Sequence, residues 1–502
     1  MCTMFANPTA VHRRTLLNST YFQLPALSRF TAPLLLLTLA ITFSSGMPSF
    51  AAESNGQINL LPHQEIARAL LKELVEINTT DSVGDNTRAA QAMADRLIAA
   101  GFPPQDVQVL EPVARKGNLV ARYRGRGIGL KPLLLLAHID VVEADPADWT
   151  LAPFTFTEQD GYYLGRGVSD DKDEAAIHIA NFIRLKQEGF VPDRDIVIAL
   201  TADEEGGDHN GVQWLLANYP DLIDAEYALN EGGGGGITDG IYVSNNVQAS
   251  EKVYQTYILE VTNPGGHSSV PQRDNAIYRL VDALSNIRDY DFPVKLNQIT
   301  RLYFERRAAL EEGELAEALR GVIQTPPDED AIRYFYDKTF FNSRLRTTCV
   351  TTMLEAGHAE NALPQRARAT VNCRVLPDES IDEVQNTLSR LIGDDQVSIT
   401  PDRPATQSPV SPLTPPLLAI IEKITDDMWP GVPVLPTMST GATDSLYLRN
   451  AGIPVYGVSG IFGDGTSRIH GQNERIIIKS YFEGQEFLYR LTKALSAATD
   501  GA

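Results

Sequence analysis

The sequence predicts an α/β fold in which a mostly parallel sheet forms a larger domain and a smaller ferredoxin-like α+β domain is inserted into it. Two observations predict this fold. At 502 residues, the chain is longer than one hydrophobic core usually supports. The order of elements also changes twice: strands alternate with helices until about residue 250, a β-α-β-β-α-β order follows, and alternation resumes after residue 403.

The larger domain is predicted from the spacing of apolar residues. Amphipathic helices are expected near residues 66–77, 90–97 and 176–183, because apolar side chains recur there every three or four positions. Short apolar runs bounded by polar residues indicate buried strands. We expect strands at 107–110, 118–123, 133–138, 196–200, 227–230 and 454–458, and further helices at 212–218, 417–428 and 481–495.

The smaller domain is predicted from four strand patterns and two helix patterns. The strands are expected at 256–262, 347–353, 366–375 and 397–400, and the helices at 277–287 and 381–392. An insertion at 289–346 contains a charged helical piece at 305–320, and the proline-rich segment 401–416 is typical of a linker. The predicted domain bounds are therefore 52–250 and 404–502 for the larger domain and 251–403 for the smaller one.

The first 51 residues have the composition of a secretory signal peptide. They contain Arg13, Arg14 and Arg29 and no acidic residue, followed by an apolar run at 32–43 and a Ser49-Phe50-Ala51 cleavage pattern. We expect cleavage near Ala51 and export to the periplasm or the medium. The alternative is an N-terminal membrane anchor, although the apolar run is short for a bilayer span.

Charge and cysteine content restrict the possible partners. A net charge of −21 disfavours nucleic acid and anionic membranes. Cys2 lies in the leader, which leaves Cys349 and Cys373 in the exported chain. We expect these two to be buried thiols rather than a disulfide, because the sequence has no small-domain cysteine framework.

Metal-ligand residue types follow the predicted strands and open a predicted helix. His138 ends one strand, Glu204 and Glu205 follow another, and Asp170 enters the helix at 176–183. The carboxyl ends of parallel strands meet at one edge of a sheet, so these groups can converge. Their oxygen and nitrogen donors suit zinc, cobalt or manganese. The candidate ligands are His138, Asp170, Glu205, Glu231 and His470.

Adjacent acidic residues favour a site with two metals. Glu204 and Glu205 point in different directions, so one can bind a metal while the other handles a proton. A carboxylate that bridges two metals allows a water molecule between them to become a nucleophile near neutral pH. Asp140 lies two residues after His138, on the same side of an extended chain, and can orient its imidazole. The pattern predicts a dinuclear hydrolase.

Other functions have less support. Serine hydrolysis is disfavoured because no G-x-S-x-G occurs, and Ser459 in GVSG does not fit that pattern. The glycines at 232–236 lack the spacing of a nucleotide-binding loop. A non-catalytic binding protein on the same scaffold stays open as an alternative.

The ordered motifs resemble the co-catalytic zinc peptidase and aminoacylase family, which includes carboxypeptidase S, glutamate carboxypeptidase, aminoacylase and succinyl-diaminopimelate desuccinylase. The resemblance runs from about residue 60 to the end, and the insertion is most similar to the carboxypeptidase S branch. One departure is Asp173, where the family has glycine. The motifs are HID at 138–140, GRGVSDDK at 165–172, DEEGG at 203–207, NEGG at 230–233, GGHSS at 265–269, GATD at 441–444 and His470.

The resemblance implies a role for each candidate ligand. Two zinc ions are implied, or cobalt or manganese in their place. His138 and Glu231 would hold one ion, Glu205 and His470 the other, with Asp170 bridging them. Glu204 matches the general base, which moves a proton from the bridging water to the leaving nitrogen. Asp140 matches the residue that orients His138.

The resemblance also implies substrate contacts and a dimer. His267 matches a histidine that polarises the scissile carbonyl and comes from the partner subunit in several dimeric members, which implies a homodimer through the smaller domain. Asn361 and Arg374 match residues that hold the substrate carbonyl and carboxylate, and the backbone at Gly441 and Thr443 matches a substrate-contacting loop.

The function expected from the sequence is hydrolysis of an amide bond next to a free carboxylate. A carboxypeptidase or dipeptidase that acts on peptides is the first interpretation. An N-acyl-amino-acid amidohydrolase, of the aminoacylase type, is the alternative.

Overall fold

The computed structural model describes residues 59 to 498. The predicted signal peptide, its cleavage near Ala51 and the alternative membrane anchor lie outside these residues and stay predictions. Within the described part of the chain, no helix has both the length and the apolar character that a bilayer crossing needs. The helices are α1 Pro62–Val75, α2 Asn86–Ala99, α3 Lys172–Gln187, α4 Gly211–Asn218, α5 Pro220–Ile223, α6 Ala276–Arg288, α7 Gln298–Leu310, α8 Gly313–Val322, α9 Glu329–Phe335, α10 Thr339–Leu345, α11 Ile381–Ile392, α12 Pro415–Met428, α13 Ser445–Asn450 and α14 Ile478–Ser496.

Nineteen strands form four sheets in the described residues. The strands are β1 Val107–Leu110, β2 Asn118–Tyr123, β3 Leu133–His138, β4 Thr157–Gln159, β5 Tyr162–Leu164, β6 Ile196–Thr201, β7 Tyr227–Asn230, β8 Gly234–Thr238, β9 Ile241–Glu251, β10 Val253–Thr262, β11 Gly266–His267, β12 Thr348–Ala356, β13 Ala362–Leu363, β14 Arg366–Val375, β15 Val397–Pro401, β16 Val434–Ser439, β17 Val455–Gly457, β18 Phe462–Gly463 and β19 Arg475–Ile477.

The largest sheet has ten strands and positions the site. Its order is β1-β2-β6-β3-β7-β17-β9-β8-β18, with β16 beside β9. The central neighbours β6, β3, β7 and β17 run parallel, whereas β1, β2 and β6 pair antiparallel at one edge. Every residue of β3 and β6 is buried, as expected for strands with both faces covered. The predicted α/β fold with a mostly parallel sheet is confirmed.

Helix α3 is the most deeply buried of the long helices on this sheet. It packs against α1, α14 and β3, so nearly all of its side chains are buried rather than the single stripe that the spacing predicted. Lys172, at its first turn, has no exposed surface. Its Nζ donates to the carbonyl oxygens of Leu74 and Ile77, each at 2.9 Å, and so ties the end of α1 to the start of α3.

A second sheet has four antiparallel strands in the order β12-β14-β10-β15. Helices α6 and α11 cover one of its faces, and the side chains between them form a hydrophobic cluster of their own. The observed element order is β-α-β-β-α-β, as the sequence predicts. The assignment of this unit as an inserted domain with bounds 251 and 403 stays a prediction.

The insertion at 289–346 folds into α7 to α10. The predicted helical piece at 305–320 is helical in the structure but is interrupted, because one helix ends at Leu310 and a new one begins at Gly313, whose φ of 66° favours glycine. Aromatic residues of α7 and α9, Tyr303, Phe304 and Phe335, share a cluster with Leu435 of β16. The insertion therefore packs on the large sheet.

Four strands of the large sheet, β8, β9, β16 and the two-residue β18, have no counterpart in the sequence prediction. Strand β8 is mostly glycine, β9 alternates polar residues through Asn245 and Gln248, and β16 contains Pro436. Their patterns resemble loops because none of them has a continuous apolar run.

The expectation of two separate buried thiols is wrong. Cys349 of β12 and Cys373 of β14 are directly opposite each other in the antiparallel register and form a disulfide. Sequence spacing could not reveal the pair, because the pairing depends on the register of two strands 24 residues apart.

Candidate metal centre

The ends of three neighbouring parallel strands deliver most of the predicted ligands. His138 is the last residue of β3, Glu204 and Glu205 follow β6, and Glu231 follows β7. Since β6, β3 and β7 are adjacent and parallel, these residues emerge at one sheet edge. Two overlapping groups of candidate ligands result, each with ligand atoms within 4.8 Å of one another. They are His138, Asp170 and Glu205, and His138, Glu204 and Glu231.

Asp170 lies between the two predicted histidine ligands. Its Oδ1 is 3.0 Å from Nε2 of His138, and its Oδ2 is 3.0 Å from Nε2 of His470. Nε2 of His470 is also 2.8 Å from Oε1 of Glu205, and Nε2 of His138 is 3.9 Å from Oε1 of Glu231. One carboxylate thus faces two separate ligand pairs, which is the arrangement of a bridging ligand.

Asp140 contacts His138 through its backbone carbonyl rather than through the side-chain carboxylate that the sequence suggested. The carbonyl oxygen of Asp140, at 3.0 Å, is the nearest partner of His138 Nδ1, while its carboxylate is 3.6 Å away. The carboxylate oxygens instead accept the backbone N–H groups of Glu204 and Glu205, at 3.1 and 3.0 Å. Asp140 therefore fixes both the imidazole and the loop that carries the acidic pair.

The loop after β6 is held by a second carboxylate, which the sequence analysis missed. Asp203 has a φ of 61°, and its Oδ1 accepts a hydrogen bond of 2.6 Å from Nζ of the buried Lys116. Its Oδ2 accepts the backbone N–H of His209 at 3.2 Å. A Cβ at Gly207 would lie 2.3 Å from this oxygen, so only glycine fits. The hydrogen bond between Asp203 and His209 therefore joins the two ends of the loop that carries Glu204 and Glu205.

A buried ion pair joins the loop of Asp170 to the loop of His470. Glu474 accepts hydrogen bonds from the backbone N–H groups of Gly167 and Ser169, at 3.1 and 3.0 Å. Arg166 donates to Glu474 at 2.6 Å and to the carbonyl oxygen of His470 at 3.3 Å. The only sequence signal for Glu474 was its position four residues after His470.

Asp444 is a further buried carboxylate close to the centre. It belongs to the GATD motif, but the sequence analysis assigned it no role. Nδ2 of Asn210 donates to Asp444 at 2.5 Å and to the carbonyl oxygen of Asp203 at 3.1 Å. Burial raises the pKa of Asp444 to about 7. This contact connects the loop after β16 to the loop that bears the acidic pair.

The pKa values of the predicted ligands reflect the many carboxylates that lie close together at this site. Burial lowers the pKa of His138, but hydrogen bonds to Asp140 and Asp170 outweigh burial and raise it well above the usual value. Hydrogen bonds to Asp170 and Glu205 raise the pKa of His470 to about 10. Burial raises the pKa of Glu231 to about 8. The centre therefore has a strong affinity for positive charge.

The residues fit a pair of divalent cations. Two imidazole nitrogens and four carboxylates converge, and no lysine or arginine among the described residues forms an ion pair with any of them. So many buried carboxylates need a positive partner. Nitrogen and carboxylate oxygen donors suit zinc, cobalt and manganese. A carboxylate oxygen of Glu204 also lies within 4.8 Å of ligand atoms of His138 and Glu231. Distance alone therefore does not separate Glu204 from the predicted metal ligands.

His267 and Asn361 lie together, and neither belongs to the two groups of candidate ligands. In the two-stranded pairing of β11 with β13, His267 is opposite Ala362, and the carbonyl oxygen of Asn361 accepts the N–H of Ser268. Both residues are exposed. Nδ1 of His267 accepts the N–H of Ser269 at 3.1 Å, and no hydrogen bond within the described chain connects it to the predicted ligands.

The other predicted substrate residues lie where the two large sheets meet. Arg374 is the second-last residue of β14, with its guanidinium 4.6 Å from the ring centre of Tyr254. The loop of Gly441 and Thr443 is attached to the end of β9, because Oγ1 of Thr443 donates to Glu251 at 3.0 Å. Glu251 also forms a buried ion pair with Arg449 at 2.9 Å.

The fold and this site define a metal-dependent hydrolase of the α/β class. Residues 134–494 match the model of peptidase family M20/M25/M40. The chain belongs to this family and is a metallopeptidase or amidohydrolase, which confirms the resemblance found in the sequence.

Similar proteins agree with this assignment. Probable carboxypeptidase S-like 2 of Dictyostelium discoideum is 30% identical over 492 residues, covering 92% of this chain and 91% of that protein. The N-fatty-acyl-amino acid synthase/hydrolase PM20D1 of Xenopus tropicalis is 31% identical over 365 residues, covering 71% of this chain and 70% of that protein. The structure of the M20 family metallo-carboxypeptidase Sso-CP2 from Sulfolobus solfataricus has a TM-score of 0.65 at 19% identity and covers 86% of this chain and 99% of that one. The similarity to the Sulfolobus solfataricus structure shows the fold alone.

Proposed function

We propose that the chain hydrolyses an amide bond next to a free carboxylate, as a carboxypeptidase or dipeptidase with two divalent metal ions, of which zinc is the first candidate. The observation that carries the proposal is the position of Asp170, whose two oxygens each lie 3.0 Å from a different histidine, His138 and His470. A site built around a shared carboxylate suits two cations better than one.

Each side chain of the site has its own role in this proposal. His138 and Glu231 would hold one metal ion, Glu205 and His470 the other, and Asp170 both. When bound, such ions polarise the scissile carbonyl and make a water molecule acidic. Glu204 accepts a proton from the attacking water and delivers it to the leaving nitrogen. Asp140 keeps Glu204 in place through the backbone N–H that it accepts.

The free carboxylate of the substrate would be bound by Arg374. Its guanidinium is half-buried, stacks on Tyr254 and forms no ion pair with a described carboxylate. Burial lowers its pKa, although the guanidinium stays charged at neutral pH. A planar guanidinium with free N–H groups suits bidentate binding of a carboxylate.

An N-acyl-amino-acid amidohydrolase is the second candidate. The name of the Xenopus relative, an N-fatty-acyl-amino acid synthase/hydrolase, specifically favours it. Both candidates cleave an amide whose nitrogen belongs to an amino acid with a free carboxylate, so the same metal centre and the same Arg374 serve either. They differ in the group on the carbonyl side.

A panel of substrates tests both candidates. After loading with zinc, dipeptides and N-acetyl and long-chain N-acyl amino acids would be assayed, each with its carboxylate free and as an amide. We expect hydrolysis only of the free acids, and loss of activity with a chelator. Turnover of dipeptides alone would identify a peptidase, and turnover of N-acyl substrates an acylase. Equal rates for acids and amides would contradict the role of Arg374, and full activity after chelation would contradict the metal mechanism.

A further inference from the structure

Glu251 lies where the chain passes from the large sheet to the second sheet. It is the last residue of β9, and only Lys252 separates it from β10. The side chain of Glu251 is buried, and glutamate is almost never fully buried unless it is paired. The partners of this carboxylate belong to two other segments of the chain.

The first partner is Thr443, in the loop between β16 and α13. Oγ1 of Thr443 donates to Oε2 of Glu251 at 3.0 Å and accepts the backbone N–H of Ser445 at 3.2 Å. Oγ of Ser445 accepts a hydrogen bond of 3.0 Å from Nδ2 of Asn230, the residue before the predicted ligand Glu231. The loop therefore joins the buried carboxylate to the metal centre.

The second partner is Arg449 of α13. Its Nη1 lies 2.9 Å from Oε1 of Glu251, and the two side chains are only 1% and 3% exposed. Nε and Nη1 of Arg449 also donate to the hydroxyl groups of Ser411 and Ser408, at 3.2 and 3.4 Å. Both serines belong to the segment between β15 and α12, which returns from the second sheet to the large one. Glu251 thus connects the outgoing and the returning segments with the loop of Thr443.

The loop of Thr443 borders a cavity that separates it from the second sheet. The cavity has a volume of about 140 Å³, and its lining includes Glu251, Ala442 of the loop and Tyr254 of β10. The ring centre of Tyr254 is 4.6 Å from the guanidinium of Arg374. Because side-chain packing is incomplete between the loop and Tyr254, the hydrogen bond to Glu251 fixes the loop on this side.

Resting on the proposed function, we propose that Glu251 is a positioning residue for the substrate. Two groups predicted to contact the substrate depend on it: the backbone at Gly441 and Thr443, and Arg374 beside Tyr254. Glu251 holds Thr443 directly and precedes Tyr254 by three residues, so it sets the distance between these groups. Without this contact, the loop can shift into the cavity, and a substrate held at Arg374 loses its contacts with the loop.

Thr443→Val tests the contact, because it removes the hydroxyl group at almost constant volume and changes no backbone group. With the free-acid substrate that the panel identifies, we expect KM to rise about tenfold, since a hydrogen bond to a charged group contributes roughly that much. The value of kcat should change by less than about threefold. Thr443→Ser retains the hydroxyl group and should have a KM close to that of the wild type. A KM of Thr443→Val within about twofold of the wild type would overturn the proposal.

A purely structural role gives a different kinetic result. A variant that only folds less well contains fewer active molecules, so kcat per total protein falls while KM stays the same. The matched control is Thr425→Val, which changes a buried threonine of α12 whose Oγ1 accepts a hydrogen bond of 3.0 Å from Asn245. It should lose stability without a change in KM. The same behaviour in Thr443→Val would overturn the positioning role.

Glu251 itself is tested together with Arg449. Replacing Glu251 alone would leave Arg449 buried without its partner and would endanger folding. Glu251→Met combined with Arg449→Met replaces both charges with apolar side chains, which buried ion pairs often tolerate. The KM of this double variant should match that of Thr443→Val, and adding Thr443→Val to it should raise KM no further. A further increase of about tenfold would mean that Thr443 acts independently of Glu251, and the assigned role would be wrong.

Amide hydrogen exchange separates this proposal from the proposed function. If no amide in the panel is hydrolysed, the proposed function fails, but exchange at residues 441–446 is still measurable in the zinc-loaded protein by mass spectrometry. Exchange should be about tenfold faster in Thr443→Val than in the wild type and in Thr443→Ser. Equal exchange rates in all three proteins would overturn the role of Glu251 in fixing the loop.

Discussion

At the scale of single residues, Glu204 has two possible roles that experiment can separate. It lies within ligand reach of His138 and Glu231, and it also matches the position of the general base. We expect Glu204→Gln, which preserves size but cannot accept the proton, to lower kcat by about a hundred- to ten-thousand-fold. The bound metal, measured by elemental analysis, should stay at the wild-type amount.

The control for this prediction is Glu226→Gln, which changes an exposed glutamate just before β7 and should remain fully active. A Glu204→Gln protein that retains more than about a tenth of the wild-type kcat would contradict the role of base. A protein that loses one metal ion along with its activity would make Glu204 a ligand instead.

His178 links protonation to stability at a distance from the ligands. It lies in the buried part of α3, where burial lowers the pKa of its imidazole to about 4, compared with about 6.5 in an unfolded chain. Below pH 6.5 the unfolded chain binds a proton that the folded protein does not bind. Folding stability therefore falls as the pH decreases from about 6.5 to about 4, by roughly 3 kcal/mol from this residue.

Urea unfolding at pH 7 and pH 4 measures this contribution. Other buried groups also titrate in this range, so the informative quantity is the difference between the wild type and His178→Leu. The free energy of unfolding of the wild type should fall by roughly 3 kcal/mol more than that of the variant. The same pH dependence in both proteins would refute the prediction.

At the scale of elements, the metal centre depends on a connection between two loops. Glu474 binds the backbone of the Asp170 loop at Gly167 and Ser169, and Arg166 of that loop reaches back to the carbonyl of His470. Residues that hold metal ligands in place typically contribute ten- to about a hundred-fold to metal affinity. We expect Glu474→Gln to weaken binding of one metal ion by that factor, measured by competition with a chelating dye.

The matched control is Glu486→Gln. It removes the partner of Arg184 in an ion pair between α14 and α3, at 2.8 Å, which involves no predicted ligand. Its metal affinity should equal that of the wild type. If both variants bind metal alike, the Arg166–Glu474 pair contributes to folding only.

Elements also explain how much the sequence could predict. The run that ends in His138 and the run at 196–200 that precedes Glu204 are apolar, continuous and followed by polar residues, so the local pattern was enough to place these side chains at or just beyond the ends of buried strands. Strands β9 and β16 have no such run and form only because the sheet pairs them with each other. The disulfide depends on the register of β12 and β14, which no local pattern records.

The residues that support the metal centre could not be predicted from the sequence for the same reason. Glu474 and Gly167 are 307 positions apart, and Lys116 and Asp203 are 87 apart. A single buried charge has no periodicity, so nothing in the sequence marks it as a partner of a distant loop. The family resemblance supplied the ligands and the base, but not the ion pairs that hold them.

At the scale of the whole molecule, the position of His267 raises the question of a second subunit. The side chain is exposed, and its Nδ1 is paired with its own neighbour Ser269. Val350, Met353 and Leu354 of β12 are more than half exposed on the edge strand of the second sheet. An apolar, unpaired edge strand is suited to association. We expect a homodimer by light scattering, in which His267 acts on the metal centre of the partner.

Mixing two inactive variants tests this prediction. Glu204→Gln lacks the base and His267→Ala lacks the donor, so each homodimer should be nearly inactive. If His267 acts across the interface, a mixed dimer contains one complete site, with the base of one chain and the histidine of the other. Refolding an equal mixture should then recover about a quarter of wild-type activity, because half of the dimers are mixed and each has one working site of two. If His267 acts within its own chain, both sites of the mixed dimer are incomplete and the mixture stays inactive. A fully active monomer would also reject the role across the interface.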